Sequence, residues 1–285
     1  MSLFSSPAIL IRRLDYGDFD LIITFLTYQH GKMTAIAKSA KRSTKRFSGV
    51  LELFSLLDIV VSRSNRKGLP VLTEASFYSP LNYIRENITK TAFASYWAEL
   101  VNDTLEEGRQ QVAVFQLLDY ALKALDTGEI PDEVLSILFQ MRLLTLSGLC
   151  PNLNYCCTCH SDMTDISQNK INVDPAKGGV VCEHCTPYSS AQTCLSKGTI
   201  KQLQWLNTCE LNKVGRIRFS PTAMREGLAF LEAFVPYHLG REPKSLKFLR
   251  RLRLRSFAVG RCCHNHTAVE WKTALPDERI KRRSL

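Results

Sequence analysis

The hydrophobic period changes once along this chain, near Pro80, and that change fixes the fold class. Residues 7–77 fall into five β-rich runs: PAILIRRL, FDLIITFLT, MTAIAK, VLELFSLLDIVVSR and LPVLTEASFY. Turn signals separate them, among them DYGD, YQHGK and SNRKG. Five short strands in so short a segment suit a small barrel, either an oligonucleotide-binding (OB) barrel or an SH3-like one. Beyond Pro80 the apolar residues recur at spacings of three and four. Phe93, Tyr96, Trp97, Leu100, Val101 and Leu105 share one face of a helix within 90–107. VAVFQLLDYALKALD (112–126) repeats the pattern before Gly128, and Pro131 opens a third helix, PDEVLSILFQMRLLTLSG. Helical signals resume in KGTIKQLQWLNTC and in SPTAMREGLAFLEAFVPYHLG. The expected architecture is α+β and multidomain. A five-stranded barrel occupies 1–80. An all-α domain follows over 81–250, with an inserted cysteine module at about 150–190. A basic tail, 251–285, has mixed composition and no periodicity, which predicts disorder.

Charge is distributed unevenly. The formal net charge is +10, but residues 244–285 hold 12 Lys/Arg against 3 Asp/Glu, and residues 1–80 hold 11 against 6. The middle of the chain is mildly acidic. Two basic regions thus flank a neutral-to-acidic body. No run of about eighteen apolar residues predicts a membrane span, and the N-terminus shows no basic n-region or small-residue cleavage site. A cytoplasmic protein is expected, and there ten cysteines point to metal or free thiols rather than disulfides.

The cysteine module carries CCTC and CEHC. Cys156 and Cys159 form one C-x-x-C pair, Cys182 and Cys185 another, with 22 residues between Cys159 and Cys182. Gly178 and Gly179 precede the second pair and permit a hairpin that brings the pairs together. Four thiolates fit a closed tetrahedral Zn²⁺ site, structural because no position remains for water. CCTCH also matches a haem attachment pattern, but that leaves the second pair unexplained. A redox C-x-x-C is expected in a βαβ setting, not in a polar insert between helices. His160 and His184 read as solvent-facing, and Cys150, Cys194 and Cys209 as buried thiols.

Five of the nine residues from Lys38 to Arg46 are cationic and none is acidic. This run lies between the third and fourth expected strands. Lys38, Lys41, Arg42, Lys45 and Arg46 can track phosphates, with Arg12, Arg13, Arg63, Arg66 and Lys67 extending the track. The competing reading is a solubilising loop, with Phe47 and Phe19 in the core. There is no G-x-x-x-x-G-K-[ST], G-x-G-x-x-G or G-x-S-x-G motif. His30 in YQHGK has a structural turn context, and Glu106 and Glu107 read as solvated, so no catalytic site is expected. An RNA-binding or ribosome-associated zinc protein using the same barrel surface is the alternative function.

The order of these features resembles the bacterial RecO family of recombination mediators. The residues that carry the resemblance are ILIRRLDYGDFDLIITFLTYQHGK, the basic loop ending in RFSG, and FQMRLLTLSGLCPNLNYCCTCH followed by GGVVCEHC. The likeness runs from about residue 7 to about 250. It implies an N-terminal OB fold, a helical domain with a structural zinc module, and a non-enzymatic function. Such proteins bind single- and double-stranded DNA and anneal complementary strands. With RecR, they help load RecA on DNA coated by single-stranded DNA-binding protein, whose acidic, apolar C-terminal tail they dock. Within the family match, Arg142 is the candidate cation for that tail, against a helix salt bridge to Glu133 or another carboxylate. A nucleoid-associated cytoplasmic location follows. The tail after Arg250 departs from the family pattern.

Overall fold

The structure is a computed structural model that describes residues 2–43, 46–63, 68–79, 81–186 and 193–262. Met1–Leu249 form one compact unit and Arg250 begins a second. Strands β1 (Ser2–Tyr16), β2 (Asp20–Thr27), β3 (Gly31–Ala37), β4 (Leu56–Arg63) and β5 (Val71–Ser79) close into a barrel of order β1-β2-β3-β5-β4. All pairs are antiparallel except β3 with β5, which are parallel through Ile36 and Val71. That closure is OB-like and excludes the SH3-like alternative. The fifteen-residue β1 makes it possible. Its first half pairs with β4 and its second with β2, and a bulge between Leu10 and Arg12 bends it between them. The strand starts five residues before the expected one, because the polar SLFSSP segment is held by backbone pairing to β4.

Alternation does the packing. On β3 every second residue, from Met33 to Ala37, faces the barrel core with Ile23, Phe25, Ile59, Val61 and Leu72. Phe47 joins this core, so the end of the basic loop is pinned to the barrel.

The helical part opens with α1 (Asn82–Glu86), which the sequence did not announce, and continues with α2 (Ile88–Thr104), α3 (Val112–Thr127) and α4 (Asp132–Leu146). The helical face read from Phe93 to Leu105 is buried throughout. Helix α4 is buried all round from Val134 to Met141 and forms the centre of the domain, packed against α2, α3, α5 (Lys197–Thr208) and α6 (Pro221–Leu239). Its polar residues are satisfied inside. The Tyr96 hydroxyl donates to Gln140 Oε1 (2.9 Å), and Gln140 Nε2 donates to the Ser136 carbonyl (3.0 Å). Trp97 stacks on Phe139 at 5.2 Å between centroids. Among the described residues no helix is long and apolar enough to cross a membrane.

Two contacts lock barrel to helices. Gly31 has φ +66°, and a Cβ there would lie 1.8 Å from the Arg109 carbonyl oxygen, so the HG turn requires glycine twice over. Beside it, the Gly108 N–H donates to the Lys32 carbonyl (2.9 Å) in a parallel backbone bridge, and the Thr34 hydroxyl donates to Glu107 Oε1 (2.5 Å). Glu107 is exposed, as expected, and also serves as an acceptor at the domain junction.

Between α4 and α5 lies a three-stranded sheet of order β7-β6-β8, with β6 (Lys170–Asp174), β7 (Gly179–Val181) and β8 (Thr193–Ser196). The last helix, α7 (Lys244–Cys262), continues past the expected boundary at 250. The part of the tail expectation covering 263–285 lies outside the described residues.

Candidate metal centre and nucleic-acid interface

The four paired cysteines converge. The Sγ atoms of Cys156, Cys159, Cys182 and Cys185 all lie within 4.8 Å of one another, and Cys159 Sγ is 3.6 Å from Cys182 Sγ. A tetrahedral Zn²⁺ with bonds of about 2.3 Å separates its sulfurs by about 3.8 Å, so the donor set fits. Local structure explains the convergence. The β6–β7 hairpin turns at Gly178 (φ +78°), and Gly179 lets the first knuckle lie against β7, since a Cβ there would be 2.2 Å from the Asn152 carbonyl oxygen. The Asn152 N–H donates to the Gly178 carbonyl and the Val180 N–H to the Asn152 carbonyl, both at 2.9 Å. The first knuckle closes through His160, left-handed at φ +60°, whose N–H donates to the Cys156 carbonyl.

The sulfurs are prepared unequally. Burial pushes the Cys156 thiol up, but hydrogen bonding by the backbone of Cys159, Cys182 and Thr158 outweighs it and brings the group down to about 6. Cys185 is pushed up to about 12, first by its hydrogen bond to Cys182 and then by burial and the other thiols. Crowded thiolates resist ionisation together, and a divalent cation relieves that repulsion. Lys177 adds positive charge nearby, donating to Thr158 Oγ1 (3.1 Å) and to the Cys185 carbonyl (3.4 Å). Cys157 bonds Asn152 and stays outside the cluster. Cys150 and Cys194 are exposed, not buried as expected, and Cys209 is half-buried.

The basic loop is a folded appendage of the barrel. A single 3-10 turn, Ala40–Arg42, is tied down by the Ser39 N–H to Asp20 Oδ1 (2.7 Å) and the Lys41 N–H to the Phe19 carbonyl (3.0 Å). Ser43 Oγ accepts from the N–H groups of Arg46 and Phe47. Ala40 and Phe47 are buried, and Lys38, Lys41, Arg42 and Arg46 are exposed.

The expected cations differ in their commitments. Lys41 pairs with Asp15 at 3.3 Å. Arg13 donates to the Leu51 carbonyl (2.9 Å) and pairs with Glu52 (3.2 Å). Arg42 lays its guanidinium 3.3 Å over the Phe19 ring, and Phe19 is 36% exposed rather than in the core. Arg46 gives one N–H to the Lys38 carbonyl and lines a groove with Ser5, Ser6, Thr73 and the acids Asp58 and Glu74. Lys38 and Arg63 are exposed with no side-chain partner among the described residues. Arg12 lines a separate groove with Glu99, Asp103, Arg241 and Lys244. Lys45, Arg66 and Lys67 lie outside the described residues.

The contacts of Arg142 are backbone carbonyls. Its Nε donates to the Leu206 carbonyl (2.8 Å) and an Nη to the Cys209 carbonyl. It closes the C-terminus of α5, where unpaired carbonyls gather. Among the described residues no carboxylate pairs with it. Sequence spacing gave no sign of this, because the partners lie more than sixty residues away.

Comparison with known proteins agrees with this arrangement. Residues 1–81 match the family described as Recombination protein O N terminal, and residues 85–247 match Recombination protein O C terminal. DNA repair protein RecO of Desulfatibacillum aliphaticivorans is 44% identical over 89% of this chain and 98% of its own length. That of Desulfosudis oleivorans is also 44% identical, over 88% and 98%. That of Syntrophus aciditrophicus is 35% identical over 85% and 93%. With both halves matched in order and nearly the whole length of these relatives covered, the chain belongs to the RecO family of DNA repair and recombination proteins.

Proposed function

We propose that this chain is a DNA-binding mediator that anneals complementary single strands and helps load RecA on DNA coated by single-stranded DNA-binding protein. It performs no covalent chemistry. The observation that carries the reading is the OB-like barrel whose β3–β4 loop exposes Lys38, Lys41, Arg42 and Arg46 beside the exposed Phe19, in a chain of the RecO family. Two strands repel through their phosphates. A basic surface that neutralises both raises their local concentration, and base pairing then proceeds unaided.

In this reading residues 1–80 are the DNA-binding domain and 81–250 the partner-binding one. Lys38, Arg42 and Arg46 carry most of the phosphate contact, with Lys41, Lys45, Arg12, Arg13, Arg63, Arg66 and Lys67 around them. Cys156, Cys159, Cys182 and Cys185 hold a structural Zn²⁺, which ties the knuckle after Leu153 to the β6–β7 hairpin. RecR, the tail of the single-stranded DNA-binding protein and, indirectly, RecA are the protein partners, and the location is the cytoplasm around the nucleoid.

The test is annealing by the full chain of two complementary oligonucleotides coated with single-stranded DNA-binding protein, without ATP. Duplex formed faster than in the protein-free control, and suppressed by salt, supports the reading. No acceleration, with tighter binding to RNA than to DNA of equal length, overturns it.

A further inference from the structure

The family reading accounts for one charged surface, on the barrel. A second sits on the helical domain. Lys201, Gln202, Trp205, Arg216 and Ile217 line an open shelf of about 340 Å³ formed by α5 and the 3-10 segment Leu211–Arg216 that follows it. Trp205 is 38% exposed, whereas Trp97 is fully buried. An indole left at a surface needs a reason, since its face is apolar and its N–H seeks a partner.

The charges around it are unlike those of the barrel loop. Lys201, Arg216 and Arg218 are exposed, and none of their side chains makes an ion pair or hydrogen bond among the described residues. Glu210 is the single acid between residues 197 and 218, and Lys213 already neutralises it at 3.2 Å. Gln202 donates through Nε2 to the Arg218 carbonyl (3.1 Å), which holds the Arg218 backbone against α5, while its Oε1 is buried without a partner. Three uncommitted cations beside one exposed aromatic face form a polyanion site with a stacking platform.

We propose that the Trp205 shelf binds a second single strand of nucleic acid, with a base stacked on the indole and phosphates on Lys201, Arg216 and Arg218. The inference rests on the annealing reading and deepens it, because an annealer must hold two strands and the barrel loop provides for one. The shape favours a strand over an acidic peptide. The shelf is open along its length and has no closed socket to bury an apolar anchor.

The experiment uses the full chain, an oligo(dT) probe and tryptophan emission, with annealing measured in parallel. In a Trp271→Phe background, which leaves Trp205 and the buried Trp97 as the chain's tryptophans, stacking should quench emission, and adding Trp205→Phe should abolish the quench while keeping an aromatic face and most of the annealing rate. Trp205→Ala and Lys201→Ala/Arg216→Ala should slow annealing at least about fivefold, the scale of one lost base stack, while first-strand affinity changes less than about twofold. All three side chains are at the surface, and far-UV circular dichroism checks the fold of each variant. Unchanged quench and annealing in folded variants overturn the proposal. So does normal annealing with lost binding of an acidic, apolar peptide, which assigns the shelf to a protein partner. If the wild type does not anneal, the annealing reading fails by itself. The quench and its loss in Trp205→Phe then still decide whether a strand occupies the shelf.

Discussion

The most informative perturbation of the barrel loop separates cations by their existing partners. Among the described residues Lys38, Arg42 and Arg46 have no carboxylate partner, whereas Lys41 pairs with Asp15 at 3.3 Å. Arg42 stacks on Phe19 by the face of its guanidinium and keeps its N–H edge for phosphate. Arg46 commits one N–H of the five it carries. On a single strand each phosphate-neutralising cation contributes about 0.7 to the slope of log K against log salt. The triple variant Lys38→Ala/Arg42→Ala/Arg46→Ala should therefore flatten the slope by about 2. Between 50 and 200 mM salt that is about a fifteenfold smaller loss of affinity than in the wild type. Lys41→Ala alone should change the slope less than any one of the three, because binding must first break its pair with Asp15. Asp15→Asn should tighten binding. The assay is fluorescence anisotropy of a labelled oligo(dT) across a salt series. The variants leave Ala40 and Phe47, the loop's anchors, in place. An unchanged slope in a folded triple variant, or Lys41→Ala giving the largest change, would refute this reasoning and return the loop to a solubilising role.

Four other outcomes are expected. Cys182→Ala should reduce bound zinc from about one equivalent to none, read by metal analysis, and should lower the melting temperature, because a structural site supplies folding energy. Gly31→Ala should destabilise by on the order of 3 kcal/mol, the range for backbone strain with a steric clash, measured by urea unfolding. Arg142→Ala should cost roughly 1–3 kcal/mol through the orphaned carbonyls of Leu206 and Cys209, measured by urea unfolding. Glu99 tests pH. Burial pushes it up, but hydrogen bonds from Ser245 and Lys244 and the charge of Arg241 hold it below its ordinary 4.5. Its contribution is thus complete above about pH 4.5 and is lost as pH falls through the lowered value. The melting-temperature gap between wild type and Glu99→Gln should be constant near neutrality and shrink in acid.

What the sequence disclosed follows the range of the interactions involved. Runs of β-favouring residues bounded by turn signals marked all five barrel strands, because strand and turn chemistry are local. The face from Phe93 to Leu105 was legible because its three-and-four spacing is local too. The C-x-x-C pairs announced their own cluster, since two-residue spacing with a glycine hairpin leaves little freedom. Failures came where partners are distant. Thr34 with Glu107, Arg142 with the end of α5, and Glu99 with the start of α7 join residues separated by 64 positions or more. No local pattern encodes such pairs. The barrel type was also undecided locally. Five strands fit two topologies, and the parallel β3–β5 pairing that settles the matter is a long-range contact. The Trp205 shelf escaped because its period reads as an ordinary amphipathic helix. Only the exposure of the indole and the freedom of the surrounding cations mark it.

The distinction between committed and free cations bears on how an annealer lets its product go. A surface made only of free cations would hold a duplex more tightly than either strand, since the duplex carries twice the phosphate density, and turnover would stall. The barrel loop is tempered. Asp15 competes for Lys41, Glu52 and the Leu51 carbonyl hold Arg13, and Phe19 draws on Arg42. Each such exposed partner returns on the order of 1 kcal/mol or less when phosphate leaves, so several together weaken retention without abolishing encounter. The opposite change is the discriminating one. Asp15→Asn with Glu52→Gln should strengthen capture of the first strand yet slow repeated annealing, because the duplex is released late. Single-turnover annealing should then be unchanged or faster, and the multiple-turnover rate slower. If both rates rise together, release is not limited by these cations, and the internal carboxylates serve only to hold the loop in place.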